Sequence, residues 1–599
     1  MSRVLVVPGS SRKTLAVVMS IKIISSCEPY VLFTHIHPYM FSKYIPNRIL
    51  ARVDKSSHIQ YLKCILDVAT KYDIHYILPI DYEEVALLTK YDSVFKEHGI
   101  TVIAPRHKDV IKVSNRSLVP ELVKGITLYP YQVVIMTKAD IKEVYKVPTP
   151  LVVKGTSDSS KPQYFLSPEE AIPIILKRIP VVVQEYIPGI GRGYYVVSYE
   201  GDPIIEFTHE RIGEYYPTGG GSIAARGPIS DPRLVAIGRE IVKRLKWTGE
   251  LMIETRWDYE TGDYYVLEFN PKIWGSIDLS VSLGFHFPGL LVVAFTEGYE
   301  KALKVAREIK VREDYYIWII DALHYLVYDP SFYLRLLYKS LLRPTKSEFR
   351  IEDIVSTLQR FAVKAKNLYV EKNRHILLLR DTRGKMKTWF KRLMKVLRTS
   401  NKRVLILDLD GVLVSLPVNW SKVKKELSYR GYIKPWETMI NLLYRLWVKE
   451  KRKYYFVSEL VKKYEEEAAK HAKLLIDASL LERIKEKVDY MYIASRQARD
   501  VIYSILKMYN LSRYFDDVYS REDGPDKLST IRCKIYKDPS TVIMIDDSFI
   551  TVVKAYREGY IGLHVAHDRY RKIQVRSLGI PSSSPNDIMS FLLKILKAN

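Results

Sequence analysis

The sequence predicts a multidomain protein that combines α/β and α+β folds. At 599 residues it exceeds what one hydrophobic core usually holds, and by the usual domain length we expect about four domains. Short apolar runs typical of buried strands alternate with helical patterns at both ends of the chain. Its apolar and charged fractions, 47% and 27%, are typical of folded globular proteins and exclude a disordered chain.

Four segments differ in their patterns. Residues 1–105 alternate strands with helices, which predicts a parallel sheet flanked by helices. In residues 106–325 the strands are denser and the loops richer in Gly and Ser, which predicts an α+β body. Residues 326–400 are mostly helical and form a predicted linker region. Residues 401–599 return to strand and helix alternation, with a helical insertion at about 415–485.

Composition narrows the cellular setting. The three cysteines, Cys27, Cys64 and Cys533, are far apart and lack metal-site spacing, so neither a disulfide framework nor a zinc site is expected. There is no secretory signal and no apolar stretch long enough to span a bilayer. We therefore expect a soluble protein of the reducing cytoplasm. Abundant Lys and Glu with few Cys also suit a thermophile. The net charge of +25 attracts anions in general without selecting one.

A lysine at the end of a buried strand predicts a phosphate site. Lys154 follows the apolar run Leu151-Val152-Val153 and precedes a loop of small residues that includes Ser157. Backbone N–H groups in such a loop can surround phosphate oxygens, and Lys154 adds a positive charge. Further along, Val181-Val182-Val183 leads into Glu185 and Ile187, which predicts an edge strand suited to an adenine, with Ile187 as an apolar platform.

Three oxygen-bearing side chains follow on two further strand patterns. Glu254 lies on one, Glu268 and Asn270 lie on the next, and a turn around Gly262 joins them. Neighbouring antiparallel strands bring such side chains together. Hard oxygen ligands facing a phosphate loop suit Mg²⁺ that bridges nucleotide phosphates. The combination is more specific than any of its parts.

In this order the motifs resemble the ATP-grasp superfamily, especially its carboxylate-amine ligases, over about residues 1–325. The resemblance implies that ATP turns a carboxylate into an acyl phosphate, which an amine then attacks. It also implies roles for the motif residues, and these are nucleotide binding by Lys154, Ser157, Glu185 and Ile187 and metal binding by Glu254, Glu268 and Asn270. Arg116 stands near the position where the family has a lysine, and Lys272 stands where it has an arginine; both keep a positive charge with a different shape.

Arg211 falls where the same family approaches the transferred phosphate. There its guanidinium would neutralise developing charge, and the alternative is an ion pair at the surface. The glycine run of the loop 218–222 either contacts the acceptor substrate or forms a hairpin turn. His209 is expected to be structural.

The C-terminal segment carries two acidic pairs, each after an apolar strand. Asp408 and Asp410 follow Val404-Leu405-Ile406-Leu407, and Asp546 and Asp547 end Val542-Ile543-Met544-Ile545. Carboxylates at the carboxyl edge of one sheet lie close together and need a cation. An isolated Asp-x-Asp is more often a solvated turn, but two such pairs in this order reverse that judgement.

With Ser495 after an intervening strand and Lys527 in a later loop, this order resembles the haloacid-dehalogenase-like (HAD) phosphohydrolases. The resemblance implies a Rossmann-like domain with a helical cap. It implies that Asp408 is the nucleophile, Asp410 the general acid/base, Ser495 a phosphate donor and Lys527 a screening cation. Asp408, Asp410, Asp546 and Asp547 would bind Mg²⁺ or Mn²⁺. Lys534 and Lys537 compete with Lys527 for the lysine role.

The sequence therefore predicts a bifunctional enzyme with ATP as a substrate. Its expected small-molecule partners are a carboxylate, an amine and a phosphomonoester, with the oligomeric state open. One alternative is a small-molecule kinase of the ATP-grasp type. Another is a nucleic-acid end-processing or RNA-binding protein, suggested by residues 383–403, which hold nine Lys/Arg and no acid. An interdomain helix with its apolar face docked is the favoured interpretation of that segment.

Overall fold

The fold is the mixed α/β organisation that the sequence predicts. The computed structural model describes residues 2–157, 162–216, 219–258, 261–343, 347–399, 403–434, 437–534 and 539–597. In that part of the chain no helix combines the length and apolar character needed to cross a lipid bilayer.

The first sheet is parallel, as expected for its short runs of buried aliphatic residues. Its strands, in spatial order β3-β2-β1-β4-β5, are β1 (Arg3–Val7), β2 (Glu28–Phe33), β3 (Asn47–Leu50), β4 (Tyr76–Pro79) and β5 (Thr101–Val102). The helices around it and after it are α1 (Thr14–Ile24), α2 (His58–Lys71), α3 (Tyr82–Lys90), α4 (Asp92–Glu97), α5 (His107–Ser114) and α6 (Val119–Val123).

A small antiparallel sheet follows, which we call the small sheet. Its strands, in spatial order β6-β9-β7-β8, are β6 (Gln132–Ile135), β7 (Leu151–Gly155), β8 (Gln163–Phe165) and β9 (Val181–Glu185), with helix α7 (Pro168–Ile175) alongside. The prediction of β9 as an edge strand is wrong, because β9 pairs with both β6 and β7. Its three valines are fully buried, which suits a central strand.

The large sheet is antiparallel and carries the remaining oxygen ligands of the front half. Its strands, in spatial order β14-β13-β10-β11-β12-β15, are β10 (Ile190–Tyr199), β11 (Asp202–Tyr216), β12 (Gly219–Gly227), β13 (Gly249–Trp257), β14 (Tyr264–Asn270) and β15 (Asp314–Ile317). Its helices are α8 (Pro232–Leu245), α9 (Ile277–Ser282), α10 (Phe287–Thr296) and α11 (Tyr299–Glu308).

Helices lie between the large sheet and the C-terminal sheet in the chain. They are α12 (Tyr325–Tyr328), α13 (Pro330–Leu342) and the long α14 (Ile354–Thr399). Within the basic segment, Trp389 and Leu393 are buried in the core of the C-terminal half, and the Trp389 indole donates to the Gly562 carbonyl at 3.1 Å. The apolar face of this segment is therefore docked. Residues 400–402 of the segment lie outside the described residues.

The C-terminal sheet is parallel, with β16 between β19 and β21. Its strands, in spatial order β20-β19-β16-β21-β22-β23, are β16 (Val404–Leu407), β19 (Tyr490–Ala494), β20 (Asp517–Tyr519), β21 (Val542–Asp546), β22 (Ile561–Val565) and β23 (Ser582–Ser583). Helices of this unit are α18 (Ala478–Lys485), α19 (Arg499–Met508), α20 (Lys527–Lys534), α21 (Phe549–Arg557), α22 (Arg569–Ser577) and α23 (Pro585–Lys597).

The insertion in this half is helical. Two short strands, β17 (Val414–Ser415) and β18 (Lys473–Leu474), pair with each other and mark its base. Between them lie α15 (Trp420–Tyr429), α16 (Met439–Lys449) and α17 (Lys451–Ala469). These three helices, which we call the helical insertion, share an apolar core of their own that includes Leu442 and Val461.

One buried acid makes the stability of the front half depend on pH. Glu250, near the start of β13, is fully buried, and burial raises its pKa to about 8. The folded state therefore holds a proton that the unfolded chain loses above its ordinary pKa. We expect the free energy of unfolding to fall by up to about 1.4 kcal/mol per pH unit between roughly pH 5 and 8 through this group.

Replacing Glu250 by Gln tests this expectation, since Gln keeps the shape without the charge. In urea denaturation at several pH values, Glu250→Gln should gain stability relative to wild type as the pH rises. Glu240→Gln, an exposed acid on α8, is the control. A constant difference between the Glu250 variant and wild type from pH 5 to pH 8 would contradict the raised pKa.

Two candidate active sites

The first site lies where the small sheet faces the hairpin of β13 and β14. In this hairpin Glu254 pairs directly across from Glu268, as the predicted turn around Gly262 requires. Like charges opposite each other destabilise a sheet unless cations offset them. Arg116 Nε lies 2.7 Å from Glu268 Oε2, and Arg211 Nη1 lies 2.9 Å from Glu254 Oε1. The hairpin carboxylates are therefore held together by two arginines.

Arg116 also joins the hairpin to the predicted phosphate loop. Its backbone N–H donates to the Thr156 carbonyl at 2.9 Å. Its guanidinium donates to the carbonyls of Gly155, at 3.1 Å, and Ser157. Ser157 thus lies at the site through its main chain, while residues 158–161 of the loop lie outside the described residues.

Lys154, at the end of β7, is buried against the same carboxylates. Burial lowers its pKa, the positive charge of Arg116 lowers it further, and Glu268 opposes the shift. Burial also disfavours the Glu268 carboxylate, but Arg116 and Lys154 outweigh it and lower the pKa of Glu268 to about 2. Glu268 is therefore ionised in the folded protein. Asn270 is buried beside it, with Nδ2 3.4 Å from Glu268 Oε1.

The Arg211 side chain is buried. The alternative of an ion pair at the surface is therefore wrong. Arg211 also contacts Glu214 Oε1 at 3.0 Å and the Gly220 carbonyl at 2.8 Å. Gly191 on β10 makes room for it, since a Cβ there would lie 2.7 Å from Arg211 Cδ. Thr218 of the glycine run lies outside the described residues.

Sequence reasoning missed a third buried arginine at this site. Arg256 Nη1 lies 3.0 Å from Glu214 Oε2 and 3.2 Å from the Gly189 carbonyl. The signal was present, because Arg256 lies two residues after Glu254 and therefore on the same face of β13.

The other predicted residues of the front half lie at the ends of β9 and β14 or just after them. Glu185, at the end of β9, accepts from the Tyr131 backbone N–H at 2.7 Å, and burial raises its pKa to about 7. Ile187, two residues later, is buried. Lys272 lies 5.9 Å above the Tyr82 ring, and burial together with Lys13 lowers its pKa to about 7.

His209 is buried against Tyr195. Its Nε2 lies 2.5 Å from the Tyr195 hydroxyl, and its ring also contacts the Tyr195 ring. Burial, followed by the charge of Arg211, lowers its pKa well below the ordinary value. A neutral imidazole therefore packs behind Arg211.

The second site lies at the carboxyl edge of the C-terminal sheet. Because β16 has parallel neighbours on both sides, the residues after β16, β19 and β21 meet there. Carboxylate oxygens of Asp408, Asp546 and Asp547 lie within 4.8 Å of one another. Lys527, at the start of α20, reaches between two of them, with Nζ 2.9 Å from Asp546 Oδ2 and paired with Asp408 Oδ2.

The Asp408 carboxylate is fixed by further donors. The Ser495 hydroxyl lies 2.8 Å from Asp408 Oδ1, and the Leu409 backbone N–H donates to the same oxygen at 2.7 Å. Asp410 accepts from the Leu416 backbone N–H at 2.8 Å. Burial and the charge of Asp547 raise the pKa of Asp410 to about 7. The Asp408 carboxylate is thus held in a fixed orientation, and the neighbouring Asp410 holds a proton more readily than a free carboxyl group.

The turn after Asp410 requires glycine. Gly411 has a φ of +78°, and a Cβ there would lie 2.1 Å from Asp547 Oδ2.

Burial, together with the charge of Asp408, raises the pKa of Asp546 to about 7, and the charge of Lys527 opposes this shift. Burial also opposes ionisation of Asp547, but His567, whose Nε2 lies 3.7 Å from Asp547 Oδ2, lowers its pKa.

Arg496, which follows Ser495, is a second cation that sequence reasoning missed. Its Nη2 lies 3.5 Å from Thr551 Oγ1. Its positive charge opposes the rise in the pKa of Lys527. Its Nε is buried and has no hydrogen-bond acceptor among the described residues. Buried donors of this kind usually have a partner, so Arg496 is placed to receive an anion.

Both donor sets fit a divalent cation of the Mg²⁺ or Mn²⁺ type. Such ions prefer carboxylate and amide oxygens. The C-terminal site offers three converging carboxylates, and the front site offers Glu254, Glu268 and the Asn270 amide.

Comparisons with known proteins add little to this geometry. No family model matches the sequence, and no curated protein matches it. Among solved structures, the biotin carboxylase domain of 2-oxoglutarate carboxylase from Hydrogenobacter thermophilus is 14% identical, covers 52% of this chain and 70% of its own, and has a TM-score of 0.40.

Two further structures are similar at the same level. Biotin carboxylase from Campylobacter jejuni is 14% identical over 53% of this chain and 75% of its own, with a TM-score of 0.43. L-amino acid ligase from Bacillus licheniformis is 12% identical over 53% of this chain and 80% of its own, with a TM-score of 0.41. A likeness at these scores does not establish a family for this chain.

A buried ion pair fixes the helical insertion on the C-terminal core. Arg521, 2% exposed, pairs with Glu465 of α17 at 2.7 and 3.0 Å. It also donates to the Arg496 carbonyl at 3.0 Å.

Arg521→Ala would leave Glu465 buried and unpaired, which costs about 3–5 kcal/mol. We expect this decrease in the free energy of unfolding of the C-terminal half. Denaturant-induced unfolding monitored by the hydrogen exchange of β16 and β21 measures it.

The control is Arg430→Ala, which removes an arginine of the same insertion that pairs with Glu426 at the surface. Its cost should stay below about 1 kcal/mol. Equal losses in the two variants would contradict a fixed insertion.

Proposed function

We propose that the protein is a bifunctional enzyme. Its front half is an ATP-dependent ligase of the ATP-grasp carboxylate-amine type. Its C-terminal half is a Mg²⁺-dependent phosphohydrolase of the HAD type. The substrates of both are small molecules.

The observation that carries the ligase proposal is the meeting of Lys154 with the Glu254 and Glu268 pair. A lysine on one sheet faces two carboxylates and an amide on another, with Arg116 and Arg211 beside them. Cations for phosphate oxygens and oxygen ligands for Mg²⁺ are thus arranged around one cleft. The resemblance of the motifs to ATP-grasp ligases adds to this argument.

In the proposed reaction the carboxylate substrate attacks the γ-phosphorus of ATP, and ADP leaves. An amine then attacks the acyl phosphate, forming an amide and releasing phosphate. Bound Mg²⁺ would offset the phosphate charge and hold the β- and γ-phosphates. Lys154 and Arg116 would orient the phosphates, and Arg211 with Lys272 would neutralise charge that develops during transfer. Glu185 and Ile187 would contact the nucleoside.

The observation that carries the phosphohydrolase proposal is Lys527 between Asp408 and Asp546. Asp408 would attack the phosphorus of a phosphomonoester while Asp410 gives its proton to the leaving oxygen. Asp410 would then take a proton from the water that hydrolyses the aspartyl phosphate, which returns the enzyme to its first state. Ser495, Arg496 and Lys527 would hold the phosphate oxygens. Bound Mg²⁺ would hold nucleophile and phosphate together.

The fusion suggests consecutive steps on one small molecule, such as ligation of a phosphorylated intermediate and removal of its phosphate. Product mass spectrometry after incubation with ATP, Mg²⁺ and a cell metabolite extract tests this idea. A product that depends on both halves supports it, and unrelated products of the two halves contradict it.

For the ligase, Lys154→Ala should lower ADP release in the metabolite extract by about 100-fold or more, since it removes a cation that stabilises the transferred phosphoryl group. Lys146→Ala, a surface lysine paired with Glu143, is the matched control and should retain full activity. Hydrolysis of p-nitrophenyl phosphate should persist in both variants. Equal ADP release by wild type and Lys154→Ala would contradict the nucleotide role.

For the phosphohydrolase, Asp408→Asn should lower Mg²⁺-dependent hydrolysis of p-nitrophenyl phosphate by roughly 1,000-fold or more, because the nucleophile is lost. Asp500→Asn, a surface acid paired with Lys462, is the control. Arg496→Ala should raise KM for phosphate esters, since it removes a phosphate donor. Hydrolysis that survives in Asp408→Asn would contradict the aspartyl-phosphate mechanism.

A further inference from the structure

The C-terminal half contacts the small sheet through the helix that follows its acidic pair. In this contact Phe549 and Val552 of α21 form one buried cluster with Val152 of β7 and with Tyr186. The rings of Tyr186 and Phe549 are 5.6 Å apart and nearly perpendicular. Arg557, at the end of α21, donates to Thr149 Oγ1 at 2.8 Å. The contact is apolar at its centre and polar at its edge.

The same half contacts the large sheet through its helical insertion. Lys424 of α15 donates to the Thr261 carbonyl at 3.0 Å and pairs with Asp263. Both residues lie at the turn that joins β13 to β14, the hairpin of Glu254 and Glu268. The Asp263 side chain is only 2% exposed and that of Lys424 is 17% exposed, so the pair is largely shielded from water.

These two contacts belong to one body. Helix α15 packs on α17 in the core of the helical insertion, and the buried pair of Arg521 with Glu465 fixes α17 to the C-terminal core. The C-terminal half therefore spans the cleft, with α21 on one wall and α15 on the other.

The cleft is closed in this arrangement. Lys154, Arg116 and Asn270 are each 6% exposed or less, and separation of the two sheets would expose them to a nucleotide. Arg116 lies in a segment whose flanking residues, Val113 and Val119, pack with the large sheet, while its backbone N–H donates to Thr156 after β7. That hydrogen bond crosses the cleft.

We propose that the C-terminal half acts as a clamp that controls the exchange of nucleotide at the front site. This inference rests on the proposed ATP site. The α21 contact buries several apolar side chains and stays in place. Lys424 and Asp263 can separate, because water can then solvate Lys424 and Asp263 keeps its pair with Arg233 of α8, 2.8 Å away. The ion pair is thus the latch of the clamp, and the cleft opens when it breaks.

A latch of this kind controls rates more than affinity. It holds the cleft closed both with and without nucleotide, and both entry and exit require opening. Removing it should therefore speed association and dissociation by a similar factor, while the Kd stays within about threefold. For loss of a largely shielded ion pair, we expect each of the two rate constants to increase roughly tenfold.

Stopped-flow fluorescence with N-methylanthraniloyl-ADP and Mg²⁺ measures both rates on the full chain. The test variant is Lys424→Ala, and the matched control is Lys425→Ala, the next residue of α15, whose side chain is exposed. The result expected is a rise of both rates in Lys424→Ala alone. Unchanged rates in Lys424→Ala, or the same change in Lys425→Ala, would overturn the clamp.

Hydrogen exchange of the nucleotide-free protein separates this inference from the proposed function. The Arg116 amide should exchange faster in Lys424→Ala than in wild type or Lys425→Ala, because its bond to Thr156 breaks when the cleft opens. Equal exchange in all three overturns the clamp even if nucleotide binds. If the Arg116 amide exchanges faster in Lys424→Ala but the protein binds no nucleotide, the ion pair does hold the cleft closed. That result would contradict the ligase, and with it the control of nucleotide exchange.

Discussion

Like charges held together by strand geometry are the constraint on which both sites depend. Antiparallel pairing puts Glu254 opposite Glu268, and parallel pairing puts Asp408 beside Asp546. Neither pair is stable in a buried place without cations. Arg116, Arg211 and Lys527 supply them.

The cations come from elements distant in sequence, so each site exists only when the tertiary fold is complete. Arg116 precedes the small sheet and meets a strand of the large sheet, which joins two bodies at the site. Lys527 begins a helix that lies over the end of β16 and β21. The same contacts that offset the carboxylate charge therefore hold the walls of each cleft in place. Stability and site geometry are supplied by one set of interactions.

The sequence predicts the parts of this arrangement that local pattern determines. Apolar runs predict the parallel sheets, and acids after such runs predict which carboxylates meet. Local sequence does not determine which strands pair. A run of valines suits an edge strand or a central strand, and β9 is central because it pairs with both β6 and β7. Arg496 was missed because a single arginine after a strand carries no periodic signal. Arg256 was missed although it lies two residues after Glu254 on the same strand. The docking of α21 on β7 depends on packing between residues about 400 positions apart.

The ion pairs also explain how such sites can be ready for an anion. In the closed protein the carboxylates and the basic groups neutralise each other, which limits the cost of burying them. A phosphate that arrives with its divalent cation offers both kinds of group a new partner at once. Lys527 and Arg116 can then turn from carboxylate to phosphate without leaving any charge unpaired. A phosphate alone would leave the carboxylates without partners, and a cation alone would leave the basic groups without them. On the proposed function, the paired network would therefore favour a metal-bound phosphate over either component.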